Sequence, residues 1–138
     1  MTIDDCRSAA EQQPTPIGVA VVEHEGWYLV GIRNSDGPLA GYAEFPGGKC
    51  EPAESPRECA IRECLEETGL LVEPVELLLR TTFVYPHATV DLNFWQCRLA
   101  APRDIADDHQ GFRWIAAGAL GDMNFPEANA PLLERLCT

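Results

Sequence analysis

Glu63, Glu66 and Glu67 place three carboxylates within five residues, shortly after the Gly47-Gly48 pair. On a helix, positions i, i+3 and i+4 share a face. At about 100° per residue the three side chains fall within a sector of roughly 100°. Ile61, Cys64, Leu65 and Thr68 occupy the other side of the same wheel and are expected to face a core. Two like charges about 4 Å apart repel by roughly 4 kcal/mol at an effective dielectric near 20. A cation among them would remove that penalty, and all-oxygen donors favour a hard ion such as Mg²⁺ or Mn²⁺. A solvated acidic helix face is the other meaning of such a run, and on these three residues alone the two readings weigh equally.

The flanks predict a helix independently of the carboxylates. Ser55 is a good N-cap, Pro56 suits the first helical position, and Glu58 completes a capping box. Glu58 and Arg62 pair at i, i+4 in the favourable order, and Arg62 and Glu66 in the weaker reverse order. Gly69 supplies the C-terminal stop.

The spacing separates the two readings of the acids. Five residues part Gly48 from Glu54, and seven more lead to Arg62-Glu63, followed by Cys64, Leu65, Glu66-Glu67, Thr68 and Gly69-Leu70. This pattern resembles the Nudix box, the signature of the Nudix hydrolases, at every charged and glycine position. Cys64 stands where the family usually carries Ile, Leu or Val, a change expected to affect packing and not chemistry. The resemblance implies that Glu63, Glu66 and Glu67, with the backbone carbonyl of Gly47, coordinate divalent metal. It further implies that Arg62 orients the glutamates and Glu54 steadies the loop.

Two further segments resemble MutT-type nucleoside triphosphatases within that family. Glu44-Phe45-Pro46-Gly47-Gly48-Lys49 is similar to the stretch leading into their box, and Phe125-Pro126-Glu127-Ala128-Asn129-Ala130-Pro131 to their C-terminal segment. The likeness marks Arg33, Phe45, Lys49 and Asn129 as substrate-binding residues. Arg33 and Lys49 would meet phosphate charge, and the Asn129 amide offers both a donor and an acceptor to a purine edge. Equally, Asn129 is suited to capping the closing helix. Asp108 stands where the family commonly has a Glu that binds metal or acts as general base. His109 beside it is an alternative proton carrier, because histidine as a residue type changes charge close to neutral pH.

The remaining chain must position these groups. Its 138 residues, 46% hydrophobic, suffice for one core. Residues 1–14 read as a polar tail and residues 15–138 as a single domain. Strands are expected over Ile17–Val22, Trp27–Arg33, Tyr42–Phe45, Val75–Tyr85, Thr89–Arg98 and Phe112–Ile115. In the fifth, alternation of Val90, Leu92 and Phe94 with Asp91, Asn93 and Trp95 predicts one buried face. A closing helix over Glu127–Leu136 tolerates Pro131 only by starting late or bending. The fold class is α/β, with the sheet covered on both faces; the resemblance sharpens this to a Nudix-type α/β/α sandwich with a mixed β-sheet.

The net charge of −12 excludes broad contact with a nucleic acid backbone, and no apolar run reaches membrane-span length. Without a signal-like leader, the six cysteines read as reduced thiols and the protein as cytoplasmic. The partner expected is a small nucleotide, bound by a monomer or homodimer. The resulting expectation is metal-dependent hydrolysis of an ordinary or oxidised purine nucleoside triphosphate to monophosphate and pyrophosphate. The alternatives are hydrolysis of dinucleoside polyphosphates or nucleotide sugars, and a nucleotide-binding module that does not cleave.

Overall fold

The computed structural model describes residues 13–33, 40–86, 88–100 and 108–137. Most of the expected polar tail, Cys6, the turn-rich stretch 34–39 and His87 lie outside the described residues. The elements run β1 (Thr15–His24), β2 (Trp27–Ile32), β3 (Ala43–Glu44), β4 (Gly47–Lys49), α1 (Pro56–Thr68), β5 (Val72–Tyr85), β6 (Ala88–Leu99) and β7 (Phe112–Ala116). Two short 3₁₀ turns, Ala117–Asp122 and Glu127–Asn129, precede α2 (Ala130–Cys137).

β1 is the organising strand. It pairs in parallel with β6 from Thr15↔Val90 to Val22↔Cys97, and antiparallel with β4 and β2. β5 continues the sheet beyond β6, while β3 and β7 flank β2. The sheet is therefore mixed, as expected. Successive β1 side chains serve opposite cores: Val19 and Val21 pack with Phe94, Leu120 and Leu132, and Ala20 and Val22 with Ala60, Cys64 and Cys97. A strand buried on both faces reads as a continuous apolar run, which is how β1 looks in sequence.

β6 departs from the expected single buried face. Phe94 enters the core under α2, whereas Cys97 and Trp95 pack into the core under α1. Asn93 is nearly fully buried because its Nδ2 donates to the carbonyls of Ile17 (3.2 Å) and Asp91 (3.0 Å). Alternation misled here because a small polar residue with backbone partners and a tryptophan can both line a buried face.

β4 forms although glycine is a poor strand former. It pairs because only glycine fits: a Cβ on Gly47 would lie 2.6 Å from the Gly18 carbonyl oxygen. Pro131 falls in the first turn of α2, so the closing helix does start late.

α1 occupies the expected residues with both caps in place. Ser55 Oγ accepts from the Glu58 N–H (3.1 Å), Glu58 returns a bond to Ser55 N (2.9 Å), and Gly69 closes the helix at φ 78°. Its inward face is the expected one at Cys64 and Thr68 and departs from it at Ile61 and Leu65. Cys59, Ala60, Cys64 and Thr68 are buried, Ile61 is half-buried, and Leu65 is 46% exposed. The rotation follows from docking on Gly18, where a Cβ would meet the Pro56 carbonyl oxygen and lie 2.7 Å from Cys59 Cβ. The result carries Glu63 and Glu67 to the inner edge of the helix. Gly18→Ala is expected to lose about 1–3 kcal/mol of stability by forcing the helix off the sheet. A lower urea midpoint at unchanged m-value would show it; an unchanged midpoint would mean α1 adapts freely.

Candidate active site

Arg62 is the hub of the site. Its Nε and Nη2 donate to both oxygens of Glu54, at 2.7 and 2.9 Å. Nη1 reaches Glu63 Oε2 (3.2 Å) and Glu66 Oε1 (3.3 Å), and Nη2 also donates to the Lys49 carbonyl (3.1 Å). A planar guanidinium with five donors can hold these acceptors together, whereas an ammonium cannot. Two bonds from Arg62 hold the Glu54 carboxyl down to about 2. Glu54 also accepts from Glu51 N (2.9 Å), so this charged pair closes the loop between β4 and α1.

The three glutamates do not converge on one point. Among the described residues no three acidic, His or Cys side chains gather as a ligand cluster. Glu66 is mostly exposed and turned toward Arg62. Glu63 and Glu67 do meet, over Gly47 and Gly48 of β4. A Cβ on Gly48 would lie 2.5 Å from the Glu63 carboxyl carbon, and Glu67 Oε1 accepts from Gly47 N–H at 3.2 Å. Burial, with the negative charges of Glu63 and Glu44 added, pushes the Glu67 carboxyl from 4.5 up to about 8 despite the Gly47 bond.

That raised value is the test of metal fit. A carboxylate buried against two others is stabilised by a bound cation, and these hard oxygen donors suit a divalent ion such as Mg²⁺. The linkage has a defined sign. Between about 4.5 and about 8 the folded state holds more protons at Glu67 than the unfolded state, so this group's contribution to stability falls as pH rises. Melting temperatures from pH ~5 to ~8, wild type compared with Glu67→Gln, are expected to show the metal-free wild type losing ground. Saturating Mg²⁺ should restore it at the alkaline end. A pH-independent difference would mean that Glu67 ionises normally.

A cleft of about 410 Å³ is lined in part by β4. Val19, Leu92 and Phe94 are among its apolar lining residues, and Arg33, Glu44 and Lys49 are its charged ones. Phe45 lines it while stacking on Phe125, with ring centroids 5.0 Å apart. Asn129 and Tyr85 also line the cleft. The Asn129 Nδ2 donates a long bond back to the Pro126 carbonyl (3.4 Å). All four residues expected to bind substrate thus line one cavity.

Sequence reasoning gave no role to Glu44 or Tyr85. Burial raises the Glu44 carboxyl, partly offset by Arg33, and its charge reaches Glu67. The residue lies in the quoted Glu44–Lys49 segment, but its approach to α1 depends on the pairing of β3 with β2. Tyr85 sits at the end of a long strand where no motif marks it.

Asp108 is placed differently. Its Oδ1 accepts from Gly111 N–H at 2.9 Å, holding its own turn, and the next residue but one, Gln110, reaches Gly69 at the end of α1. His109 is nearly buried, and its Nε2 accepts from Trp114 Nε1 (3.1 Å), a structural engagement. The described cysteines are free thiols, and no described helix is long and apolar enough to cross a membrane.

Residues 18–135 match the family model of the NUDIX domain. The 8-oxo-dGTP diphosphatase of Escherichia coli (strain K12) is 28% identical over 121 residues, which are 87% of this chain and 94% of that protein. The CTP pyrophosphohydrolase of the same organism is 30% identical over 115 residues, 83% of this chain and 85% of the relative. The crystal structure of a MutT protein from Methanosarcina mazei Go1 superposes with a TM-score of 0.74 at 25% identity, covering 91% of this chain and 94% of that one.

Proposed function

The chain belongs to the Nudix hydrolase family, and from that premise we propose that it hydrolyses a purine nucleoside triphosphate, ordinary or 8-oxo, to monophosphate and pyrophosphate. The observation that carries this reading is a cleft lined together by apolar Val19, Leu92 and Phe94, by Asn129, by charged Arg33 and Lys49, and by Gly47 and Gly48, against which Glu63 and Glu67 sit. Its size suits a nucleotide base with its sugar.

Glu63, Glu67 and the Gly47 carbonyl are the proposed core of a Mg²⁺ or Mn²⁺ site, with Glu66 on its exposed side. Asp108 is the least engaged of the proposed ligands, because its oxygen already serves Gly111. When bound, a divalent ion neutralises phosphate charge and acidifies a water. Arg62 holds Glu63 and Glu66 in place, and Glu54 holds Arg62. A carboxylate, either a box glutamate or Asp108, accepts the proton of the attacking water. Arg33 and Lys49 meet the charge that builds on the transferred phosphoryl group.

The test is a hydrolysis screen with Mg²⁺ on ordinary and 8-oxo purine triphosphates, CTP, dinucleoside polyphosphates and nucleotide sugars. Pyrophosphate release from purine triphosphates supports the reading. Cleavage confined to other diphosphate-linked compounds, or binding without turnover, overturns it. Asn129→Ala is expected to lower kcat/KM for the preferred purine by roughly 10-fold or more, by removing a paired amide. A variant with unchanged base preference would remove Asn129 from the base site.

A further inference from the structure

We propose that Cys59 is a positioning residue of this site, whose thiol holds Gly47 and Gly48 of β4 in place against Glu63 and Glu67. β4 contains two glycines and a lysine, which gives it little strand preference of its own. Among the described strands it pairs with β1 alone. Side chains of α1 bind each of its residues in turn. Gly47 N–H donates to Glu67 Oε1 (3.2 Å), the Gly48 carbonyl accepts from Cys59 Sγ (3.2 Å), and the Lys49 carbonyl accepts from Arg62 Nη2 (3.1 Å).

The outer two ties come from groups with other tasks. Glu67 is a proposed metal ligand, and Arg62 also serves Glu54, Glu63 and Glu66. The Cys59 tie is independent of both. Its thiol is wholly buried, and burial pushes it up to about 12, so it stays an S–H donor at neutral pH. Gly18 and Gly48 are partners in the β1–β4 register, and Cys59 touches both. A Cβ on Gly18 would lie 2.7 Å from Cys59 Cβ, while Cys59 Sγ meets the Gly48 carbonyl. One side chain thus seats α1 on β1 and ties β4 to the same helix.

The distance from β4 to the glutamates depends on that tie. A Cβ on Gly48 would lie 2.5 Å from the Glu63 carboxyl carbon, so strand and carboxylate are already in close approach. Without the sulfur, only the long side chains of Arg62 and Glu67 join β4 to α1, and Gly47 and Gly48 gain freedom to shift. A thiol is a weak donor, so the bond adds little to stability; its effect is on placement. The consequence for metal binding rests on the site proposed above, in which Gly47, Glu63 and Glu67 hold the ion. The tie between Cys59 and β4 does not rest on it.

The test compares wild type with Cys59→Ala and Cys59→Ser. Alanine keeps the Cβ packed on β1 and removes the donor; serine keeps a donor. Two quantities are read: Mn²⁺ affinity, from the paramagnetic resonance of the free ion, and hydrogen exchange of the Gly48 and Cys50 amides in metal-free protein. Cys50 N–H donates to the Pro16 carbonyl (2.9 Å), so its exchange reports on the β1–β4 pairing. Cys59→Ala is expected to weaken Mn²⁺ binding about 10-fold and to speed exchange of both amides. Cys59→Ser should recover most of each. Wild-type affinity and exchange in Cys59→Ala, or a Cys59→Ser as impaired as Cys59→Ala, would overturn the proposal. A lower urea midpoint with Mn²⁺ affinity unchanged would make the residue one of packing only and overturn it too. Should the wild type bind no Mn²⁺, the proposed metal site fails separately, and amide exchange still decides whether Cys59 holds β4.

Discussion

Glu67→Gln is expected to fold normally and to lose on the order of 10³-fold in kcat. The amide keeps the volume of the side chain and can still accept from Gly47 N–H through its oxygen. It can neither take a proton nor offer charge to a cation. Stability should move the other way. At about pH 8 the metal-free wild type is forced to ionise a carboxyl surrounded by burial, Glu63 and Glu44. The neutral amide escapes that penalty, so the variant should melt at or above the wild-type temperature without metal and gain less from Mg²⁺. Steady-state kinetics beside thermal melts check both halves. Full turnover in the variant would remove Glu67 from the chemistry, and a large loss of melting temperature would make its role structural.

Arg62→Lys is expected to cost roughly 10–100-fold in kcat/KM, although charge is conserved. Arg62 serves Glu54, Glu63, Glu66 and the Lys49 carbonyl at once, in one planar fork. A lysine ammonium can reach one or two of these, and the two-bond clasp on Glu54 is lost. Glu54 should then titrate higher than about 2, and the loop that it closes should loosen. A rise in the metal concentration needed for half-maximal rate would mark the loss as one of glutamate positioning. Unchanged metal dependence would mean that Glu63 and Glu67 hold their places through the helix alone.

How far the molecule was legible depended on how local each cause was. The caps of α1 involve residues at most four apart, and Ser55, Glu58 and Gly69 act as their chemistry required. The late start of α2 at Ala130 follows from Pro131 in the same way. Apolar runs located most strands, and the spacing from Gly48 to Leu70 marked Arg62, Glu54 and the three glutamates as one unit. The inward face of α1 was not local. It was set by Gly18, some forty residues upstream, whose missing Cβ lets Cys59 seat on the sheet. That seat turned Leu65 outward and Glu63 and Glu67 inward, against the apolar pattern of the helix.

The sequence by itself thus determined the local structure and the identity of the chemical groups, because capping, turn formation and motif spacing act over a few bonds. Only the tertiary structure decided which groups meet. The charge of Glu44 acts on Glu67, Cys59 reaches the Gly48 carbonyl, and Arg33, Lys49, Tyr85 and Asn129 line one cleft. These meetings depend on strand register and on helix rotation, which are fixed by burial summed over the whole chain and by the close approach of glycine backbones.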